Sequence, residues 1–298
     1  MSGTKGGLFL HESSDAADPL KAETDGQKSD ETVLPVAAGF HLQASDLMTK
    51  IWEKEKENCL NKDCTREKVE RLGGVEIIEN SERIKLAFEA LRRGYPDKPM
   101  IEQCQGAEFR ENSAKIISEI ARQSLRGEDP EKAVVVLPWR AALSFGLEYQ
   151  KQGVKRFYHV SSRRNEKTLE TMVDYEAGEV KNGDTLILGD PMLATGNTDV
   201  DAINRILAKG IVPGKIIVNA LVAAPVGVMN LRQYPGIRMV MGSLDEKLDC
   251  RGYIVPGFGD CGDKWSEGLT VEDVNMIADR LYFDGLSRRK LLNRYGFN

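Results

Sequence analysis

Residues 185–206 read TLILGDPMLATGNTDVDAINRI, and their order decides the class of fold. Thr185 to Gly189 form a short apolar run of buried-strand length, and Asp190 ends it. Ala194, Thr195, Gly196, Asn197 and Thr198 make a loop of small residues, and a helical pattern starts at about Asp199 with Thr198 placed as its N-cap. A strand feeding a helix through such a loop aims several backbone N–H groups and a helix N-terminus at one spot, which suits a monoester phosphate. The carboxylate at the strand end is placed to accept hydrogen bonds from nearby hydroxyls, as on a ribose. Phosphate plus diol is the ligand this geometry implies. A plain capped turn would account for Thr198, but not for the whole run of small residues behind an acid.

Other apolar runs of the same kind lie on either side: AVVVLP at 133–138, IIVNALVAA at 216–224 and IRMVMGS at 237–243. Helical stretches separate them, notably 199–208 and 226–233. Short, wholly apolar strands alternating with helices indicate an α/β fold, a parallel sheet covered on both faces. Ligands in such sheets bind beyond the carboxyl ends of the strands. Upstream, Asn80 or Ser81 can cap a helix with Ile84, Leu86, Ala87, Phe88 and Leu91 on its apolar face and Gly94 at its end. A second helix is predicted over about 108–125, with Ile116, Ile117 and Ile120 inward.

The 298 residues contain 46 acids and 41 bases, a formal charge of -5, which argues against a surface built to coat nucleic acid. No apolar run approaches the roughly 20 residues of a membrane span. Five cysteines and no signal-peptide pattern point to a reduced, cytoplasmic setting. Residues 1–40 are polar and without period, and are expected to form a disordered arm. A charged helical pattern follows from about 42 to 60, and Cys59 and Cys64 read as unpaired thiols and not a zinc site. Two motifs are decoys. Gly257, Gly259 and Gly262 satisfy GxGxxG, but too late in the chain and before no apolar helix; GIVPGKI at 210–216 has the wrong glycine spacing for a P-loop. His11, His41 and His159 form no ligand pair, and His159 reads as structural.

DPMLATGNT at 190–198 resembles the phosphoribosyl-pyrophosphate (PRPP) loop of uracil phosphoribosyltransferases, usually DPMLATGGS, and YIVPGFGDCGDK at 253–264 is similar to their uracil-binding segment, usually YIVPGLGDAGD. LVAAPVGV at 221–228, LPWRAALSFG at 137–146 and RRNEKTLE at 163–170 resemble further pieces of the family in the same order, and Phe109 and Arg110 fall in its T-x-x-FR helix. The resemblance spans about 75–265. It implies a type I phosphoribosyltransferase fold, a parallel sheet flanked by helices with a flap and a C-terminal hood over the base. It divides the chain into the arm (1–40), a helical extension (41–74), the phosphoribosyltransferase domain (75–265) and a helical tail (266–298).

By position, the resemblance gives Asp190, Pro191, Met192, Leu193, Ala194, Thr195, Gly196, Asn197 and Thr198 to the ribose and 5-phosphate. It places Arg140 and Arg164 on pyrophosphate, for which fixed guanidinium donors are suited. Ile254, Gly259, Asp260 and Cys261 would recognise uracil, with Asp260 also near PRPP. The implied reaction is phosphoribosyl transfer to N1 of uracil, giving UMP and pyrophosphate, with Mg2+ held mainly by the substrate's own oxygens. The implied assembly is a homo-oligomer with no nucleic-acid or membrane partner. A different base, or a regulator that kept the fold and lost turnover, stays open. Three residues depart from the family text: Ala142 and Asn197 stand at glycine positions and Cys261 at an alanine. An added methyl at 142 is expected to obstruct close approach of pyrophosphate, while Asn197 is expected to tolerate a left-handed backbone. The basic tail, LSRRKLLNRYGFN, reads as a solvated helix face against a partner subunit and not an RNA site.

Overall fold

The apolar runs become the middle of one seven-stranded sheet. It is seen in a computed structural model whose described residues, 60–78, 81–164 and 171–297, all belong to one compact unit, Met48–Asn298. The expected arm, most of the charged helical stretch, Cys59 and residues 165–170 lie outside the described residues. The strands are β1 (Val75–Ile77), β2 (Ala133–Pro138), β3 (Arg156–Arg164), β4 (Thr171–Ala177), β5 (Thr185–Leu193), β6 (Lys215–Ala223) and β7 (Arg238–Leu244), in the order β1-β7-β6-β5-β2-β3-β4. Every neighbouring pair is parallel except β3 with β4. The parallel sheet therefore carries one antiparallel edge, because the six residues between β3 and β4 are too few for a crossover helix.

Helices cover both faces: α1 (Arg66–Glu70), α2 (Glu82–Arg92), α3 (Gly106–Ser124), α4 (Leu143–Lys151), α5 (Asn197–Ala208), α6 (Pro225–Leu231), α7 (Cys261–Ser266), α8 (Val271–Arg280) and α9 (Gly285–Arg294). The two-residue period of the strands sorts the core. Val135, Leu137, Ile187 and Leu221 face α2, α3, α4 and the C-terminal helices, while Val134, Val136, Leu186, Leu188 and Val218 face α5 and α6. Ser81 caps α2 by accepting from the Ile84 N–H, and Ile84, Ala87, Phe88 and Leu91 are buried. Leu86, expected on that apolar face, is instead on the solvent side, one step outside the inward stripe. Within the core the Ser124 hydroxyl donates to Asn219 on β6 (2.5 Å), whose amide donates to the Tyr149 hydroxyl on α4 (2.6 Å). That pairing satisfies the polar groups which join α3 and α4 to the sheet.

The C-terminal residues pack inward. Val274, Ile277 and Ala278 of α8, Leu281 and Phe283 of the turn that follows it, and Leu291 of α9 all belong to the larger core cluster. The tail expected to lie as a solvated face thus buries one side against α4 and the β2–α4 turn. Above the sheet, a two-stranded ribbon of β8 (Lys247–Leu248) and β9 (Ile254–Val255) carries the chain back over the strand ends. Among the described residues no helix is long and apolar enough to cross a membrane.

Candidate active site

Strand β5 pairs with β2 only as far as Leu188, but with β6 through to Leu193. The strand therefore does not end at Asp190, as the apolar run predicts. It continues on the β6 side, and Asp190 lies just beyond the last pair that β5 makes with β2. Its Oδ1 accepts the Met192 N–H at 2.9 Å. Pro191 and Leu193 are buried, while Ala194, Thr195 and Thr198 are half-buried and Asn197 is exposed.

Helix α5 begins two residues earlier than predicted. Gly196 is its N-cap, with φ of 75° in the left-handed region, and Thr198 makes no capping bond. Gly196 thus takes the conformation for which Asn197 was expected to be tolerated, and Asn197 is an ordinary first helical residue. The Asn230 amide on α6 holds the loop from behind, donating to the Thr195 carbonyl (2.9 Å) and to Asn197 Oδ1 (3.1 Å). A side chain at Gly227, also on α6, would come within 2.7 Å of the Ala194 carbonyl. Glycine is what allows this helix so near the loop.

The second loop follows β2. The Trp139 N–H donates to the Val160 carbonyl (2.8 Å), the Trp139–Arg140 peptide is cis, and the half-buried Arg140 guanidinium reaches Asp263 at 2.9 Å. The ring of Tyr295, in the turn after α9, lies 5.8 Å beneath that guanidinium. Ala142 has φ of -65° and is 1% exposed within the core. Its methyl points into the protein, so it does not obstruct pyrophosphate, and its ordinary helical backbone needs no glycine. The Trp139 indole N–H donates to His159 Nδ1 (3.4 Å), which leaves the proton of His159 on Nε2, donating to the Leu281 carbonyl (3.2 Å). Burial pushes the imidazole down to about 4, so the ring is neutral and structural. Arg164 closes β3 opposite Thr171; its side chain lies outside the described residues.

The third loop follows β9. Gly257, with φ of 53°, donates its N–H to the buried Asp245 carboxylate (2.7 Å), which also accepts from Arg92 (2.6 Å). Ile254 is buried, Gly259 has φ of 81° against the Tyr95 ring, and exposed Asp260 caps α7 by accepting from the Asp263 N–H (2.9 Å). Phe109 packs edge-on to Phe258, with centroids 5.5 Å apart, and Arg110 donates to the Trp265 and Glu267 carbonyls. Cys261 is 3% exposed. Burial holds its thiol well above the usual range, reinforced by the negative charges of Asp260 and Asp190.

Strands β2 and β5 are parallel neighbours, so the loops that follow them open at the same end of the sheet, and the Arg140–Asp263 contact ties the third loop to them. Asp245, Asn230, Tyr295 and Asp199 escaped the sequence reading. Asp245 alone carried a signal there, an acid directly after an apolar strand, the same signal that marks Asp190. Among the described residues no three metal-ligating side chains converge.

The sequence matches the family described as UPRTase, uracil phosphoribosyltransferase, over residues 102–265. A uracil phosphoribosyltransferase of Synechocystis is 38% identical over 152 residues, 49% of this chain and 68% of that one. That of Nicotiana tabacum is 34% identical over 157 residues, 51% of this chain and 70% of that one. A solved protein from Aquifex aeolicus, 26% identical, superposes with a TM-score of 0.55 over 64% of this chain and 96% of its own. With more than half of its length inside the family match and the three loops of that match meeting at one end of the sheet, the chain belongs to the uracil phosphoribosyltransferase family.

Proposed function

We propose that the protein transfers the phosphoribosyl group of PRPP to N1 of uracil, forming UMP and pyrophosphate. The observation that carries this reading is the meeting of the strand-end acid, the Arg140 loop and the Cys261 loop. Residues 190–198 hold the ribose and 5-phosphate, with Asp190 accepting from the ribose hydroxyls and the N–H groups from Thr195 to Thr198 facing the phosphate. Arg140, joined by Arg164, meets pyrophosphate, exchanging its Asp263 contact for phosphate oxygens. Ile254 and Cys261 are buried, so they present backbone groups to the planar edge of the base, beside Gly259 and Asp260.

The C1′–oxygen bond to pyrophosphate breaks as N1 of the base bonds to C1′ and loses its proton. Positive charge grows on the sugar, which the Asp190 carboxylate stabilises, and negative charge on the leaving group, which the arginines stabilise. No protein nucleophile is needed. Magnesium supplies further neutralisation of pyrophosphate. Loop donors that are N–H groups and hydroxyls, without a cage of side-chain carboxylates, fit an ion carried on the substrate's own oxygens and water. The catalytic domain is assigned to 75–265, with 41–74 and 266–298 as helical extensions and 1–40 as an arm, in a cytoplasmic homo-oligomer.

The test is incubation with PRPP, magnesium and a panel of bases, read by pyrophosphate release and mass spectrometry. UMP from uracil supports the reading. Product from another base alone changes the substrate, and PRPP binding without release from any base makes the protein a regulator.

A further inference from the structure

Asp199, in the first turn of α5, has no exposed surface, and beyond its own backbone N–H no donor among the described residues reaches its carboxyl oxygens. The polar group it meets is the carboxylate of Asp190, within hydrogen-bonding reach if one of the two carries a proton. Tyr234 lies near, but its hydroxyl is turned to the Val200 carbonyl and Asn204. An acid in a first helical turn usually acts as an anion facing the helix dipole. That role fails here, because an ion with no counter-charge and no water is far costlier to bury than the dipole can offset. Two touching carboxyls in a dry place share one proton. The fully buried member, Asp199, keeps it.

We propose that Asp199 is a positioning residue for the phosphoribosyl site: its neutral carboxyl donates to Asp190 and holds that carboxylate in the orientation that meets the ribose hydroxyls. The inference rests on the assignment of Asp190 to ribose. With the Met192 N–H on Oδ1, the Asp199 proton gives the Asp190 carboxylate a second fixed donor, so its plane is set before substrate arrives. Burial and the Asp190 charge both raise the Asp199 carboxyl well above the usual carboxylate range. A neutral Asp199 also leaves the phosphate loop without a negative charge behind it.

Two variants test the proposal. Asp199→Leu removes the donor and the buried polar group together, so its melting temperature should equal or exceed that of the parent while kcat/KM for PRPP falls by roughly tenfold or more. Asp199→Asn supplies an amide N–H in place of the acid proton and should recover to within about threefold of the parent. Difference infrared spectroscopy at neutral pH should show a protonated carboxyl band that Asp199→Asn removes, whatever the enzyme turns over. If the parent proves inactive on every base, PRPP dissociation constants from calorimetry should rank the three proteins in the same order. Parental kinetics in Asp199→Leu, an Asn variant as impaired as the Leu variant, losses that track a lowered melting temperature, or absence of the infrared band would each overturn it.

Discussion

Single side chains at this site act through the hydrogen bonds that others make with them. Asp190→Asn keeps the shape but replaces a charged double acceptor with one acceptor and a donor, so it should fold normally and lose about 100-fold in kcat/KM. Steady-state kinetics at varied PRPP check this, and parental values would remove Asp190 from the site. His159 acts on stability instead. Its imidazole is held down to about 4 from 6.5 by burial. As pH falls below 6.5 the unfolded chain takes a proton that the folded chain refuses. Stability supplied by the neutral ring is therefore complete above 6.5, declines towards pH 4 and levels off below, a loss of about 3 kcal/mol. Urea midpoints from pH 7 to 4 should fall more steeply for the parent than for His159→Gln. Asp190 was legible in the sequence because an acid ending an apolar run has one sensible place in a parallel sheet. Asp199 was not, since only the packing of α5 against β5 and α6 takes its carboxyl out of water. The methyl of Ala142 was misjudged for the same reason, because its direction depends on a backbone angle that composition does not carry.

At the scale of elements, α6 and the β8–β9 ribbon set the loops proposed to hold substrate. Gly227→Ala would put a methyl 2.7 Å from the Ala194 carbonyl and 2.9 Å from that of Leu193, both backbone atoms of the phosphate loop. The helix must move away, taking the Asn230 brace with it. The expected result is a several-fold rise in KM for PRPP with a stability loss of about 1–3 kcal/mol, read by kinetics and thermal melts. An unchanged KM would mean that the loop keeps its shape without α6. The inner strands and α3 were readable from apolar periodicity. The β3–β4 edge pair was not, because Arg156 to Arg164 alternates apolar with charged residues too weakly to distinguish a strand from a loop. Helix α7 was hidden inside a glycine-rich motif, and its start depends on the Asp260 cap closing on Asp263.

For the whole molecule, the segment beyond the family match completes the core. Phe283 stacks on Trp139 with centroids 5.2 Å apart, Tyr175 and Ser287 share a hydrogen bond of 2.5 Å, and a methyl at Gly146 would strike Leu281. A chain stopped after Ser266 loses Val274, Ile277, Leu281, Phe283 and Leu291 from that core. It should give no cooperative unfolding transition by circular dichroism; a sharp transition near the parental temperature would show the domain to be self-sufficient without α8 and α9. The edge strand β1 and the last strand β7 are partners across more than 160 residues, Val75 opposite Met239. Synthesis on the ribosome proceeds in the opposite sense to what the site requires. The nascent polypeptide makes all three loops of the candidate site before it makes Tyr295, whose ring lies under Arg140 and which follows Lys264 by 31 residues. A nascent chain that has passed Lys264 but not Tyr295 therefore holds every loop of the candidate site with Arg140 still unbraced, so the order of synthesis delays the finished site until α9 has docked.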